Sequence, residues 1–275
     1  MPDTDSTPIP DYLSLLSLRD RGFVVLGAGQ GIGRQAAHAL AQAGAKVLCV
    51  DREQSLAKAI AGEVGGSACT GDVTHRADVE QIFSTADNAL GRLHGIVDVV
   101  GVATLKPIPE IDDKAWAAQF SIVLQHAYLA IQIGGPRIAR GGGGTITFVG
   151  SLAGSMAIRN QVAYGAAKAA LHHLVRSYSL ECARDGVRIN AVAPGFIRTP
   201  RLNRMLNEEQ WQTIGKFVPL GRAALPSEIA AVLLFLSCDL SSHVTGQVLS
   251  VDGGVGAVAA LPELQFGPAD GKTNR

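Results

Sequence analysis

From Phe23 to Val251 the chain repeats one arrangement: a short run that is apolar throughout, a turn, and then a stretch with helical periodicity. A strand with one face in water alternates apolar and polar residues, whereas a strand that is apolar at nearly every position needs cover on both faces. The pattern predicts strands over 23–26, 46–50, 67–70, 95–100, 145–149, 187–192 and 247–251. Helices are predicted over 31–43, 54–64, 76–90, 112–133, 161–184 and 226–238, the 112–133 helix ending at Gly134-Gly135-Pro136. Strands joined by helical crossovers of one hand close into a doubly wound parallel sheet, so the expected class is α/β with helices on both faces. Ligands of such sheets lie beyond the carboxyl ends of the strands. Functional residues are therefore sought just after each apolar run.

The 275 residues are read as one dinucleotide-binding and catalytic domain spanning 1–275, with a polar, Pro-containing extension over 1–18 and a loose tail over 262–275. A hydrophobic fraction of 47% is enough for a large core. Lys plus Arg and Asp plus Glu are equal at 24 each, which argues against a partner recognised through its phosphate backbone; no nucleic acid is expected. Cys49, Cys69, Cys182 and Cys238 are scattered without a CxxC pair, so they read as small buried hydrophobes in a reducing compartment, and no metal is expected. The first residues carry Asp and Pro rather than a basic stretch before an apolar run, and no uncharged run has the length of a membrane span. The expectation is a cytoplasmic protein with no membrane partner.

Directly after the first apolar run comes Gly27-Ala28-Gly29-Gln30-Gly31-Ile32-Gly33. By itself a glycine-rich stretch can be a tight turn, but here it has a strand before it and a helix after it. That is the context in which backbone amides and a helix dipole meet a pyrophosphate. Asp51 ends the second run, 18 residues past Gly33. A carboxylate there accepts hydrogen bonds from ribose hydroxyls and repels a 2′-phosphate, which selects NAD over NADP. Arg52 either stacks on the adenine or is solvated. Asp72-Val73, after the third run, either binds and packs on the adenine or, for Asp72, caps the next helix.

Ser151 follows the fifth run, Tyr164 lies 13 residues later, and Lys168 is four beyond it. Positions i and i+4 share a helix face, so Tyr164 and Lys168 are neighbours. A tyrosine of ordinary pKa, about 10, is a poor base at neutral pH, and an adjacent ammonium favours its phenolate. Tyr164 can then exchange a proton with an alcohol or carbonyl that Ser151 polarises.

These motifs, with Asn190-Ala191-Val192-Ala193-Pro194-Gly195 and Asp252-Gly253-Gly254, resemble the short-chain dehydrogenase/reductase family over residues 20–255. The resemblance implies a Rossmann-type sheet of about seven strands, an NAD cofactor, a small-molecule substrate, and a homo-oligomer, tetramer favoured over dimer. It implies Tyr164 as acid/base, Lys168 as its pKa-lowering neighbour and ribose ligand, and Ser151 as the substrate-positioning hydroxyl. Gly27, Gln30, Gly31, Ile32, Gly33, Asp51, Arg52, Asp72 and Val73 would line the cofactor site. Val100, Gly101, Pro194, Gly195, Ile197 and Thr199 would complete it toward the nicotinamide.

Two departures stand out. The family's Asn-Asn-Ala-Gly is here Asp98-Val99-Val100-Gly101, and the catalytic Asn expected after Trp116 is Val123. Of the nearby polar residues Ser121, Gln119 and Gln125, only Gln119 is one turn away on the same face. Residues 196–218 are expected to form a substrate lid. Ser151, Ala153, Met156, Phe196, Leu202 and Met205 are the expected substrate contacts, suited to a cyclic or hydrophobic secondary alcohol or its ketone. Arg198, Arg201 and Arg204 either read an anionic group or are solvated. His126, His172 and His173 are assigned packing or interface roles. A ketoacyl-type carbonyl reductase is the enzymatic alternative, with Asp51 against it. A non-catalytic dinucleotide-binding regulator or scaffold is the other, with the Ser-Tyr-Lys set against it.

Overall fold

The computed structural model describes residues 6–257. Its strands are β1 (Gly22–Leu26), β2 (Lys46–Asp51), β3 (Ser67–Thr70), β4 (Leu93–Asp98), β5 (Gly144–Val149), β6 (Val187–Pro194) and β7 (Val248–Val251). They form one seven-stranded sheet in the order β3-β2-β1-β4-β5-β6-β7, with every neighbouring pair parallel. The order reverses between β1 and β4, whose ends are in register at Leu26 and Asp98. The turns after these two strands therefore open side by side, where such sheets bind their ligands.

The helices are α1 (Ile32–Gln42), α2 (Gln54–Val64), α3 (Arg76–Leu90), α4 (Asp113–Phe120), α5 (His126–Arg140), α6 (Val162–Cys182), α7 (Pro200–Asn203), α8 (Glu208–Gly215) and α9 (Pro226–Ser237). The uninterrupted apolar runs are explained by two cores. Val24 and Leu26 of β1 face one core with Phe83 of α3, Leu129 of α5 and Leu171 of α6. Phe23 and Val25 face the other with Ala37 of α1, Ile60 of α2 and Leu233 of α9. Each of these buried Val, Leu, Ile and Phe side chains contributes about 1.5–3 kcal/mol of hydrophobic stabilisation. Cys49, Cys182 and Cys238 are buried in these layers and Cys69 is half-buried. Leu18, at the end of the N-terminal extension, is fully buried, while Leu13 remains exposed. The expected tail over 262–275 lies outside the described residues. No helix among the described residues is long and apolar enough to cross a membrane.

Two elements differ from the sequence reading. The expected fourth strand ends at Asp98 rather than Val100, because the Val100 amide turns to Asp98 Oδ1 at 3.0 Å instead of continuing the ladder. The long helix does not end at Gly134-Gly135-Pro136 but runs to Arg140. An added Cβ at Gly134 would come within 2.6 Å of Ile96 and Phe83, and one at Gly135 within 2.6 Å of the Tyr178 hydroxyl. The glycines thus permit close helix packing rather than stop the helix. Pro136, which removes one internal bond, lies on the exposed side. The same helix has one wide turn over Ser121–Gln125, where the His126 amide donates to the Ser121 carbonyl in an i→i+5 bond.

Candidate active site

The turn after β1 is shaped by what a side chain would strike. An added Cβ at Gly33 would overlap the Gly27 carbonyl oxygen and stand 2.9 Å from Ala28 Cα. Gly27 has φ +83° and backs onto Val99 and Val100, each 3.1 Å from an added Cβ. Gly31 precedes α1 with φ +59°, and no side chain caps that helix. Its first amides, from Ile32 onward, are available to an anion. Asp51 sits at the mouth of the turn: its Oδ2 accepts from the Gly29 amide and its Oδ1 from the Glu53 amide, both at 3.0 Å. A carboxylate has lone pairs for further donors beyond these two. Arg52 is exposed. Asp72 does not cap α3, whose N-cap position is His75. Its Oδ1 instead accepts from the Thr74 amide and hydroxyl. Burial pulls the Asp72 carboxyl upward, but the Thr74 bonds and the charges of His75 and Arg52 outweigh it and hold the group below the usual carboxylate range. Val73 beside it is buried.

At the opposite side of the β1–β4 crevice, α6 carries Tyr164, Lys168 and His172 at successive i+4 steps. The Lys168 ammonium lies 5.8 Å from the Tyr164 ring centre and donates to the Val149 carbonyl at 2.7 Å. Burial pushes Lys168 down to about 8, opposed by the charge of Asp98. Burial pushes the Tyr164 hydroxyl up, opposed by its hydrogen bond with Ser151. The sequence argument expects the lysine to favour the phenolate; in the protein alone the cost of burying that anion is the larger effect. The Ser151 hydroxyl also accepts from the Ala153 amide at 3.1 Å, which fixes its direction at the end of β5.

A groove of about 440 Å³ joins these parts. Ile32, Gly101, Ser151, Tyr164, Lys168, Pro194, Gly195, Ile197 and Thr199 all line it, as do Leu202 and Met205 of the expected lid. Ala153, Met156 and Phe196 do not. Ala153 is buried behind Ser151, and Met156 and Phe196 stand about two-fifths exposed (38% and 39%) outside the lining. The sequence reading missed Val99, Val102, Ala103 and Leu105, which follow β4 and form the apolar wall. Their signal was a short apolar run continuing past the strand. Arg201 also reaches the groove, whereas Arg198 pairs with Glu208 at 2.7 Å and stacks over Trp211. A larger depression of about 540 Å³ lies between the Leu13–Leu16 segment, α1 and α9, away from all of these groups, so chemistry rather than size marks the site.

His126 and His172 are buried inside the protein and face the site from behind, while His173 is exposed beside Ser177. His172 Nε2 accepts from the Ser151 amide at 3.4 Å, and an added Cβ at Gly154 would lie 2.7 Å from its ring. Burial, then the charges of Lys168 and Arg176, push His172 down to about 4. The folded value is below the unfolded value of about 6.5. The unfolded chain therefore binds the extra proton between these two pH values, and stability falls as pH drops through that window. His172→Gln, which keeps an acceptor and does not titrate, is expected to reduce the loss of stability between pH 7 and 4.5 by about 1–2 kcal/mol after discounting for solvent screening. Denaturant unfolding of both proteins at the two pH values checks this, and parallel losses would contradict it.

The chain matches the family model described as enoyl-(acyl carrier protein) reductase over residues 27–256. A galactitol 2-dehydrogenase (L-tagatose-forming) from Cereibacter sphaeroides is 34% identical over 249 residues, covering 89% of this chain and 98% of that protein. A tropinone reductase homolog from Arabidopsis thaliana is 34% identical over 247 residues, covering 86% and 93%. Among solved structures, a 7α-hydroxysteroid dehydrogenase complexed with NADH and 7-oxo glycochenodeoxycholic acid superposes with a TM-score of 0.85 at 29% identity, over 89% of this chain and 98% of that one.

Proposed function

This chain belongs to the short-chain dehydrogenase/reductase family of oxidoreductases, and from that premise we propose that it is an NAD-dependent dehydrogenase/reductase acting on a secondary alcohol or its ketone. The observation that carries the reading is one groove in which Ser151, Tyr164 and Lys168 converge beside the uncapped start of α1. The residues fit a nicotinamide dinucleotide. The glycine turn would admit backbone close to a pyrophosphate, Asp51 would receive the adenosine ribose hydroxyls, and Pro194, Gly195, Ile197 and Thr199 would hold the nicotinamide end beside Lys168. When bound, the dinucleotide accepts or supplies hydride. The rest falls to the protein. Ser151 hydrogen-bonds and orients the substrate oxygen. Tyr164 takes the hydroxyl proton in oxidation and returns it in reduction, and the Lys168 charge stabilises the phenolate formed in between.

Val99, Val102, Leu105, Ile197, Leu202 and Met205 make the substrate end apolar, which suits a cyclic or hydrophobic substrate. Arg201 at the same groove favours substrates that also carry an acidic group, a second reading that a panel separates. The protein should be incubated with NAD or NADP and secondary alcohols, neutral and carboxylated, while absorbance of the reduced nicotinamide is followed. Absence of turnover in every combination would overturn the reading. The proposal extends to a cytoplasmic homo-oligomer, tetramer favoured over dimer, supported by the exposed apolar residues Tyr128, Val162 and Leu180 on α5 and α6.

The choice of NAD rests on Asp51. Asp51→Ala removes the ribose acceptor and the charge that opposes a 2′-phosphate. Loss of a hydrogen bond to a charged group costs about 1.5–3 kcal/mol, so the ratio of kcat/KM for NADP to that for NAD is expected to rise about 10–100-fold. Initial rates with both dinucleotides check it; an unchanged ratio would remove Asp51 from cofactor selection.

A further inference from the structure

Behind Lys168 the interior holds a second, unassigned pair of polar side chains. Asp98, at the end of β4, and His126, at the start of α5, are 28 residues apart in sequence and both about 1% exposed. His126 Nε2 lies 3.1 Å from Asp98 Oδ1. The carboxylate can only accept, so Nε2 carries the proton and donates. The same Oδ1 accepts from the Val100 amide at 3.0 Å. Asp98 Oδ2 and His126 Nδ1 are fully buried and have no hydrogen-bond partner among the described residues. Buried polar atoms are rarely left this way without a compensating role.

The neighbourhood supplies that role. Lys168 is 1% exposed, and its ammonium has one direct acceptor among the described residues, the Val149 carbonyl, which is neutral. A buried ammonium with no counter-charge loses its proton. Asp98 pairs with Phe148 across β4 and β5, one residue before the Val149 whose carbonyl holds the ammonium. It lies on the same face of β4 as Ile96, the face that α5 and α6 cover, and its negative charge opposes loss of the Lys168 proton. The other titratable groups facing Lys168 are Tyr164 and His172, on its own helix. Gly101 closes the space in front, where an added Cβ would come within 3.0 Å of the ammonium. Neither Tyr164 nor His172 can stand in for Asp98: one is a neutral hydroxyl at rest, and the other is a ring that the ammonium itself helps to keep neutral.

Resting on the function proposed above, we propose that Asp98, locked in place by His126, is the buried counter-ion that keeps Lys168 protonated so that Tyr164 can give up its proton. The two act through Lys168 and are positioning residues. His126 does so by occupying Oδ1 together with the Val100 amide, which leaves Oδ2 as the free end of the carboxylate. The wide turn over Ser121–Gln125 immediately precedes His126 and sets the start of α5 from which the imidazole reaches β4. Val123, which occupies the place of the expected Asn, is fully buried within that turn and brings no hydrogen-bonding group. The polar support for Lys168 thus comes from Asp98 at the end of β4 and His126 at the start of α5, a pair that a ladder of apolar strands gives no reason to contain.

The test reads Lys168 directly. In the full-length protein labelled with 13C at lysine Cε, the Lys168 resonance, assigned by its loss in Lys168→Arg, is titrated in the wild type and in Asp98→Asn. The amide keeps the shape and the acceptor for His126 and Val100 while removing the charge. The Lys168 midpoint is expected to fall by about one pH unit or more, and the rise of alcohol oxidation with pH, which follows Tyr164, to move to higher pH as the ammonium that favours the phenolate is lost. If Asp98→Asn does not unfold cooperatively, Asp98→Ser provides the same comparison. An unchanged Lys168 midpoint in a folded variant overturns the proposal, even if that variant is less thermostable. His126→Leu is expected to lower kcat about 10-fold with little change in dinucleotide affinity, and His126→Gln, which retains a donor near the Nε2 position, to recover most of it. Equal losses in both would overturn the part assigned to His126. The resonance titration needs no substrate, so it stands or falls separately from the proposed reaction.

Discussion

Tyr164→Phe is expected to reduce kcat by about 10²–10⁴-fold, the range general acid–base groups contribute, with dinucleotide affinity little changed. The substitution deletes one oxygen and leaves the ring, so the half-buried packing of the side chain on α6 survives. What disappears is the only hydroxyl within the groove whose conjugate base is stabilised by an adjacent ammonium, that of Lys168 at 5.8 Å from the ring. Ser151 does not replace it, because the serine hydroxyl is held by the Ala153 amide and has no base beside it: His172 offers its Nε2 to the Ser151 amide, not to the hydroxyl. The measurement is single-turnover formation of reduced nicotinamide from an alcohol found in the substrate panel, paired with a fluorescence titration of dinucleotide binding. Binding retained with turnover nearly abolished is the expected pair of results. Turnover within tenfold of wild type would mean that the substrate proton leaves by another route and would remove Tyr164 from the chemistry. Because burial raises the Tyr164 hydroxyl, the wild-type oxidation rate should also climb as pH rises from neutrality, and this climb should vanish in the variant.

Much of this was legible in the sequence because the signals were local. The runs 23–26 and 47–50 are apolar on both faces, and a covered parallel sheet accepts such strands, so the class followed from the pattern. Tyr164 and Lys168 are four residues apart on a helix, and the glycine turn is contiguous, so their neighbourhoods were fixed by backbone periodicity alone. The continuation of α5 through Gly134-Gly135-Pro136 was not legible. A glycine that ends a helix and one that admits a neighbouring Phe83 or Tyr178 look the same in one dimension. The apolar wall of Val102, Ala103 and Leu105 was missed because it lies on an irregular segment after β4, where no periodicity assigns faces. The Asp98–His126 pair needs the β4–α5 packing to exist, since nothing local joins residues 28 positions apart. Conversely, Asp72 had two equal readings as a sequence feature; the Thr74 bonds and the His75 cap position exclude the cap of α3 and leave the adenine contact as the proposal.

The glycine turn gives the sharpest test of the cofactor half of the site. Gly33→Ala is expected to weaken dinucleotide binding by about two orders of magnitude, the scale at which roughly 2–3 kcal/mol of close backbone complementarity is lost. The added methyl would overlap the Gly27 carbonyl oxygen and press on Ala28 Cα at 2.9 Å, all backbone atoms that cannot swing aside as a side chain can. To make room, the turn must lift away from the start of α1, and the amides proposed to receive the pyrophosphate move with it. Gly29→Ala isolates this effect. Its methyl would meet the Asp51 carboxylate at 2.5 Å, which can swing, and Leu56 Cβ at 2.7 Å, which moves only with the start of α2, and the expected loss is smaller and falls mainly on the NAD preference proposed for Asp51. Gly65→Ala, at φ +65° with open space around it, costs about 1 kcal/mol of stability through strain and leaves binding untouched. Isothermal titration with NAD orders the three. If Gly33→Ala folds and binds NAD as tightly as Gly65→Ala, the turn is a structural connection only, and the pyrophosphate must be held elsewhere along the crevice between β1 and β4.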